Sequence, residues 1–490
     1  MLHRLLSLLF VLLCLSSALA EKRKLIILHT NDIHGHVEAY DKGGLTRVAV
    51  RIKEIRKENP GVVVLLDGGD TSLGTPLSGH YFGKPVADVM AYLGYDAVAI
   101  GNHEFNWGQK RMRSLTDAMK TDVLCANLVN TDGSPPPYPA FTIVERNGVK
   151  LAVVGMVTAD TARRVQVEDL EGWEFLPIET ALRNVLPTLP KDIDSLVMLN
   201  HIGVKADREL VNAVPEIDLI VGGHSHTPLQ EVVYENDTPI VQAGCYGQFL
   251  GVLEIEVDTD TDSLEVKDYH LEAFDDSKPV DPEAGKIVEA YAAELRPILA
   301  REVAHVRDVV SNKPAPDSYD TPLGNLISDV FRHQGKTDLA LYNRGGVRFD
   351  MAKGSLTVED VHKLFPFNDP VMVLEATGEQ LRRILEQGTF DGEGPLSGSG
   401  VTAVIKDDGV SDITINGKPL QPKRLYTIAT TKFLAGGGDG MATLAQLKVV
   451  RTLPFTRDVL FQYLEAVDTL QAPNPGRFKK LSPGKPSTDR

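Results

Sequence analysis

The chain has 490 residues, 42% hydrophobic and 24% charged, with a formal net charge of −16. That length exceeds what one hydrophobic core serves and points to two domains of roughly 200–250 residues. The composition argues against a disordered or fibrous chain, and the acidic balance against nucleic-acid polymers or anionic membranes as partners. A small anionic substrate would need local cations, supplied by metal ions or a few Arg.

His3 and Arg4 precede an apolar run from Leu5 to Leu15, and Ala18 and Ala20 stand in an A-x-A arrangement. This predicts a cleaved signal peptide over residues 1–20, too short to span a bilayer. Leu13 is bulky where a small residue would precede a lipidated Cys14. No later apolar run has spanning length and the C-terminus is polar, so the expectation is a secreted or periplasmic protein without a membrane anchor. Cys125 and Cys245 could pair, but buried thiols are the preferred reading.

In the N-terminal half, apolar runs of strand length alternate with helical patterns. Leu25–Leu28 runs into Asn31-Asp32-Ile33-His34-Gly35. Leu45, Val48, Ile52 and Ile55 recur at helical spacing, and Asn59-Pro60-Gly61 stops that helix. Val62–Leu66 ends in Asp67-Gly68-Gly69-Asp70, and Ala97–Ile100 ends in Gly101-Asn102-His103-Glu104. After a further strand at Leu151–Gly155, Leu196–Leu199 ends in Asn200-His201. Leu219–Val221 ends in Gly222-Gly223-His224-Ser225-His226. Strands alternating with helices predict an α/β layered domain, whose ligands bind at the carboxyl ends of the strands.

One Asp or His at a strand end is more often a helix cap or a satisfied polar group than a ligand. Here five strand ends all carry metal-capable groups, and Gly flanks most of them. Mixed carboxylate, amide and imidazole donors suit two borderline divalent ions such as Zn, Mn or Co. Asp70, alone on its glycine-rich loop, is the expected bridge between them.

Taken together and in order, these motifs resemble those of the calcineurin-like metallophosphoesterases. Thr30-Asn31-Asp32-Ile33-His34-Gly35 and Gly43-Gly44 resemble the 5′-nucleotidase/UDP-sugar hydrolase branch. The resemblance implies a four-layer α/β/β/α sandwich over residues 21–275. It implies one metal on Asp32, His34, Asp70 and His226, and a second on Asp70, Asn102, His201 and His224. It makes His103 the catalytic histidine. Many relatives carry Asp where this chain has Asn106. That residue either pairs with His103 or caps the helix beginning near Trp107.

Asp258–Ser263 reads as a solvated hairpin tip. Asp281 to about Val303 reads as one amphipathic helix with Ile287, Tyr291, Leu295 and Leu299 on one face, within a linker region 276–310. A second α/β domain is expected over 311–471 and disorder over 472–490. The segments Asn343-Arg344-Gly345-Gly346-Val347-Arg348, Pro366-Phe367-Asn368 and Phe433-Leu434-Ala435-Gly436-Gly437-Gly438-Asp439 read singly as ordinary loops. Together they resemble the C-terminal domain of the same 5′-nucleotidases. The resemblance implies substrate contacts from Asn343 and Arg348, a base sandwiched between Phe367 and Phe433, and ribose hydroxyls on Asp439. Where relatives often have Arg before the Gly324-Asn325-Leu326-Ile327 helix, this chain has Tyr319.

The sequence thus predicts a secreted phosphohydrolase acting on nucleotides, in which water activated by two divalent metals attacks phosphorus. A 5′-nucleotidase is preferred. A 2′,3′-cyclic-nucleotide phosphodiesterase/3′-nucleotidase, a nucleotide-sugar hydrolase and a catalytically dead nucleotide-binding protein are the alternatives. Nothing in the sequence sets the oligomeric state.

Overall fold

The computed structural model describes residues 22–39, 42–165, 167–347, 349–391, 396–406, 409–467 and 469–480. The signal-peptide reading over 1–20 and the predicted substrate contact of Arg348 lie outside the described residues. Among the described residues, no helix is long and apolar enough to cross a membrane.

The N-terminal half is built on two six-stranded sheets. The first runs in the order 263–273, 249–258, 22–30, 63–67, 97–99, 122–124. The second runs 233–235, 238–241, 219–221, 195–201, 149–157, 141–146. In each, the strands that carry the motifs are parallel neighbours; strands 249–258 and 263–273 of the first sheet and both outer strands of the second run antiparallel, while the outer strand 122–124 is parallel. Alternation along these strands explains the layering. Leu25, Ile27, Val64 and Leu66 face Leu151, Val153, Val197 and Leu199 in a shared core between the sheets. Ile26, Leu28, Val63 and Leu65 point the other way, onto helix residues Val48, Ile52, Val86 and Met90. Val154, Met198 and Ile220 likewise cover Leu182 and Leu210 on the far side. The result is helix, sheet, sheet, helix, each strand being apolar on both faces. The 258–263 segment is a hairpin tip, with Asp258 opposite Ser263.

Asp281 caps the helix Pro282–Leu299, its side chain accepting from the N–H groups of Glu283 and Ala284. The helix does not stand free as a connector. Ala284, Val288, Ala292 and Leu295 are buried in the N-terminal core, with Ile287, Tyr291 and Leu299 packed at its edge. Immediately afterwards Glu302–Val306 pairs with Gly354–Thr357 and with Thr469–Leu470, so the second domain's pairing begins at Glu302, inside the region read as linker.

The C-terminal half centres on a mixed sheet in the order 396–399, 339–343, 425–431, 370–377, 448–455, with Pro322–Gly335 packed across it. The expectation of disorder from Ala472 fails over 478–480. Those residues form a strand parallel to Ala403–Ile405. The reason is Asp320, a fully buried carboxylate that accepts from the backbone N–H groups of Gly476, Arg477 and Phe478. Arg477 adds a bidentate pair with Asp329.

Candidate metal centre and substrate face

The five motif-bearing strands, three from one sheet and two from the other, end at one edge of the sandwich. The backbone turns sharply there. Asp32, His34, Asp70, His224 and His226 all have φ between +48° and +77°, a region L-residues seldom occupy. Such conformations persist only where surrounding structure imposes them, and they gather at functional sites. Gly43 and Gly44 hold one wall: a Cβ on Gly43 would lie 2.4 Å from the Tyr246 carbonyl, which accepts from the Gly44 N–H.

Two clusters form. Asp32, His34 and His226 make one, and Asp70, His201 and His224 the other. His34 donates through Nδ1 to the Leu73 carbonyl and His201 through Nδ1 to that of Gly68. Each thereby turns Nε2 inward as a lone-pair donor. His34 Nε2 lies 3.1 Å from His226 Nε2, and His201 Nε2 lies 3.3 Å from His224 Nδ1. Asp70 stands between the clusters. Its Oδ2 is 3.0 Å from His201, 3.8 Å from His34 and 3.9 Å from His103 Nε2. The donor set fits divalent cations on the structure's own terms. Among the described residues, Asn102 Oδ1 is a buried acceptor with no hydrogen-bond partner, and Asp32 Oδ1 faces only imidazole nitrogens, His226 Nε2 at 3.2 Å and His34 Nε2 at 3.8 Å. A buried acceptor left unsatisfied is costly unless something occupies it.

The electrostatics agree. Burial raises the Asp32 carboxyl, but His201 and His226 outweigh it and hold it below the ordinary range. For Asp70, burial is likewise outweighed, by His201, His103 and His34, and its carboxyl falls well below the ordinary range. Burial lowers His201 and His226, yet Asp70 and Asp32 lift His201 to about 9. A hydrogen bond to Asp32, aided by the Cys245 thiol, lifts His226 to about 10. The anionic centre thus calls for compensating positive charge, and metal binding would displace protons.

His103 is nearly buried, with Nδ1 2.8 Å from Asn106 Oδ1. The following helix has no side-chain cap, so of the two roles foreseen for Asn106 it takes the pairing with His103. Phe367, from the other domain, lies against the His103 ring at 5.2 Å between centroids. Within the C-terminal domain, Asn343 donates to Asp439 Oδ2 at 2.7 Å, and Phe433 lies over Gly438, where a Cβ would come within 2.5 Å of its ring. Tyr319 is packed among Leu385, Leu396 and Phe478, with Lys480 over its ring. Cys125 and Cys245 are both free; Cys125 is buried, as preferred, whereas Cys245 is only half-buried. Sequence reasoning assigned no role to Asn31 or Tyr246. Asn31 ties Asp32 to Gly244 and Ala243. Tyr246 stacks on His36 and meets His34 and His226 edge-on. Asn31 stood inside a quoted motif; Tyr246 had no signal beyond its glycine neighbours.

Comparison with known proteins agrees with this geometry. Residues 25–228 match the calcineurin-like phosphoesterase family and residues 302–446 the 5′-nucleotidase C-terminal domain. Protein UshA of Yersinia enterocolitica is 28% identical over 505 aligned positions, covering 91% of this chain and 92% of its own. A 5′-nucleotidase of Vibrio cholerae is 28% identical, with 90% of each chain covered. The crystal structure of a 5′-nucleotidase precursor from Thermus thermophilus superposes with a TM-score of 0.84 at 24% identity. That match covers 94% of this chain and all of the other, and it shows the shared fold. The chain belongs to the two-domain family in which a calcineurin-like phosphoesterase domain precedes a 5′-nucleotidase C-terminal domain. It is a metal-dependent phosphoester hydrolase of the UshA and 5′-nucleotidase kind.

Proposed function

We propose that the protein is a secreted 5′-nucleotidase that releases phosphate from nucleoside monophosphates. The observation that carries this is the position of Asp70, whose Oδ2 faces both histidine clusters and His103. Asp32, His34, Asp70 and His226 would hold one divalent ion, and Asp70, Asn102, His201 and His224 a second, of Zn, Mn or Co type. Bound there, the two ions supply Lewis acidity toward the phosphoryl oxygens and a water of lowered pKa. His103, oriented through Nδ1 by Asn106, turns Nε2 to the same space. It stabilises charge developing on the phosphoryl group or protonates the leaving oxygen.

The opposite face binds the nucleoside. Phe367 and Phe433 stack the base, a contact tolerant of base identity. Asp439, held by Asn343, accepts the ribose hydroxyls, and Arg348 adds a cation. Residues 21–275 form the catalytic domain and 311–471 most of the substrate domain, the latter's first strand coming from Glu302–Val306. The signal-like run Leu5–Leu15 supports export, which N-terminal sequencing of the exported protein tests.

The apolar packing of Tyr319 keeps a second reading open. Position 319 carries an uncharged phenol where relatives often have Arg, which weakens the grip on an α-phosphate, and Asn106 keeps 2′,3′-cyclic nucleotides in play beside nucleotide sugars. One panel of 5′, 3′, cyclic and sugar-linked nucleotides, run metal-stripped and metal-restored, decides. Metal-dependent preference for 5′-monophosphates supports the proposal. Preference for cyclic or sugar-linked substrates replaces it with the second reading, and metal-replete protein inert even to p-nitrophenyl phosphate leaves a nucleotide-binding protein.

A further inference from the structure

Glu104 follows the catalytic histidine, and its carboxylate is 1% exposed. Its two oxygens gather five donors. One oxygen accepts from the N–H groups of Gly101 at 2.8 Å and Asp70 at 3.1 Å. The other accepts from the Thr71 N–H at 2.8 Å, the Thr71 hydroxyl at 2.9 Å and the Ser72 hydroxyl at 3.4 Å. Asp70 returns the arrangement: its Oδ1 accepts from the His103 N–H at 2.7 Å. Two adjacent strand-end loops therefore exchange carboxylates. Glycines make the exchange possible, since a Cβ on Gly101 would fall 2.2 Å from Asp70 Oδ1 and one on Gly69 would fall 2.7 Å from the Gly101 nitrogen.

The exchange has a chemical consequence. Asp70 sits at φ +54°, against its preference. With its N–H on Glu104 and its Oδ1 on His103, only Oδ2 is left to face the clusters. We propose that Glu104 is a positioning residue of the metal centre, which holds Asp70 in its left-handed conformation and selects the oxygen it presents as bridge. The proposal rests on the reading of Asp70 as a metal bridge. Glu104 itself touches neither substrate nor metal ligand donor atoms, and acts through Asp70.

The test is metal binding by the full chain, measured by equilibrium dialysis against buffered zinc, beside kcat and KM. Glu104→Gln keeps the shape but replaces one acceptor oxygen with an NH2 group that faces donors. Partners behind metal ligands typically alter affinity by about 10–100-fold. The expected result is a loss of that size in zinc affinity, a fall in kcat at limiting zinc that excess zinc restores, and little change in KM for a nucleotide. A folded Glu104→Gln protein with the wild-type zinc isotherm overturns the proposal, and so does one whose only change is a lower Tm. If that variant fails to fold, Thr71→Val decides. It removes one donor and leaves the carboxylate, so zinc affinity should fall several-fold, and an unchanged isotherm overturns the proposal. A wild-type chain that takes up no zinc, manganese or cobalt would instead overturn the metal-centre reading beneath it.

Discussion

Replacing Asn106 with Ala removes one contact, the 2.8 Å hydrogen bond that His103 Nδ1 donates to Asn106 Oδ1. That bond sets which ring nitrogen carries the proton and how the ring is turned. A hydrogen bond of this kind is worth about 0.5–1.5 kcal/mol net, which corresponds to a loss of roughly two- to tenfold in kcat. The loss stays at that level because Phe367, 5.2 Å away on the ring face, continues to restrain the imidazole. Removing the ring in His103→Ala should cost about 10²–10⁴-fold. The assay is kcat for p-nitrophenyl phosphate at saturating substrate, with metal content measured on the same samples. Asn106→Asp retains an acceptor and should keep the ring orientation. An Asn106→Ala enzyme with wild-type kcat and wild-type metal content would refute the orienting role. A loss as large as that of His103→Ala would show that Asn106 does more than orient.

Phe433→Ala should raise KM for a nucleoside monophosphate by about 1–3 kcal/mol of lost stacking and leave saturated turnover of p-nitrophenyl phosphate almost unchanged. Equal loss on both substrates would make Phe433 a packing residue over Gly438. The half-buried Asp218 carboxyl, which accepts from the Leu196 N–H, is pushed up by desolvation to about 6. The folded state therefore holds a proton that the unfolded chain releases near pH 4, so stability falls as pH rises from about 4 to 6 and is level above. Asp218→Asn should remove about 1–3 kcal/mol of that fall, seen as urea midpoints that converge at low pH and diverge above pH 6; parallel midpoints would contradict it. Asp320→Ala leaves the N–H groups of Gly476, Arg477 and Phe478 without their acceptor and should cost at least ~3 kcal/mol in urea unfolding. It should also expose the segment after residue 471 to protease, and a loss below ~1 kcal/mol would refute the clasp.

Much of the centre was legible in the sequence because its signals are local. A run such as Leu25–Leu28 that is apolar on both faces declares a buried parallel strand, and the polar residues just past its end must sit at the sheet edge. That logic put Asp32, His34, Asp70, Asn102, His103, His201, His224 and His226 at the sheet edge, and the division into metal ligands and a catalytic histidine came from the resemblance. Their order then carried the family resemblance. The disposition of Phe433, Asn343 and Asp439 had no such local signal, and only the resemblance brought them together.

What the tertiary structure alone decided depends on contacts between segments far apart in the chain. No local pattern shows that Asn106 turns to His103 instead of capping a helix, because both are short-range options of the same side chain. Phe367 against His103 requires two domains to meet. The low-complexity composition after Ala472 read as disorder, since it carries few apolar residues of its own. Order comes there from Asp320, a buried carboxylate that accepts from the Ser318 hydroxyl and the Asn325 amide and whose remaining acceptor capacity is filled when the N–H groups of Gly476, Arg477 and Phe478 close upon it. Glu104 is the same case at the metal centre. Its identity was plain in the sequence, but its role exists only where the loops of two neighbouring strands bring five donors to one carboxylate.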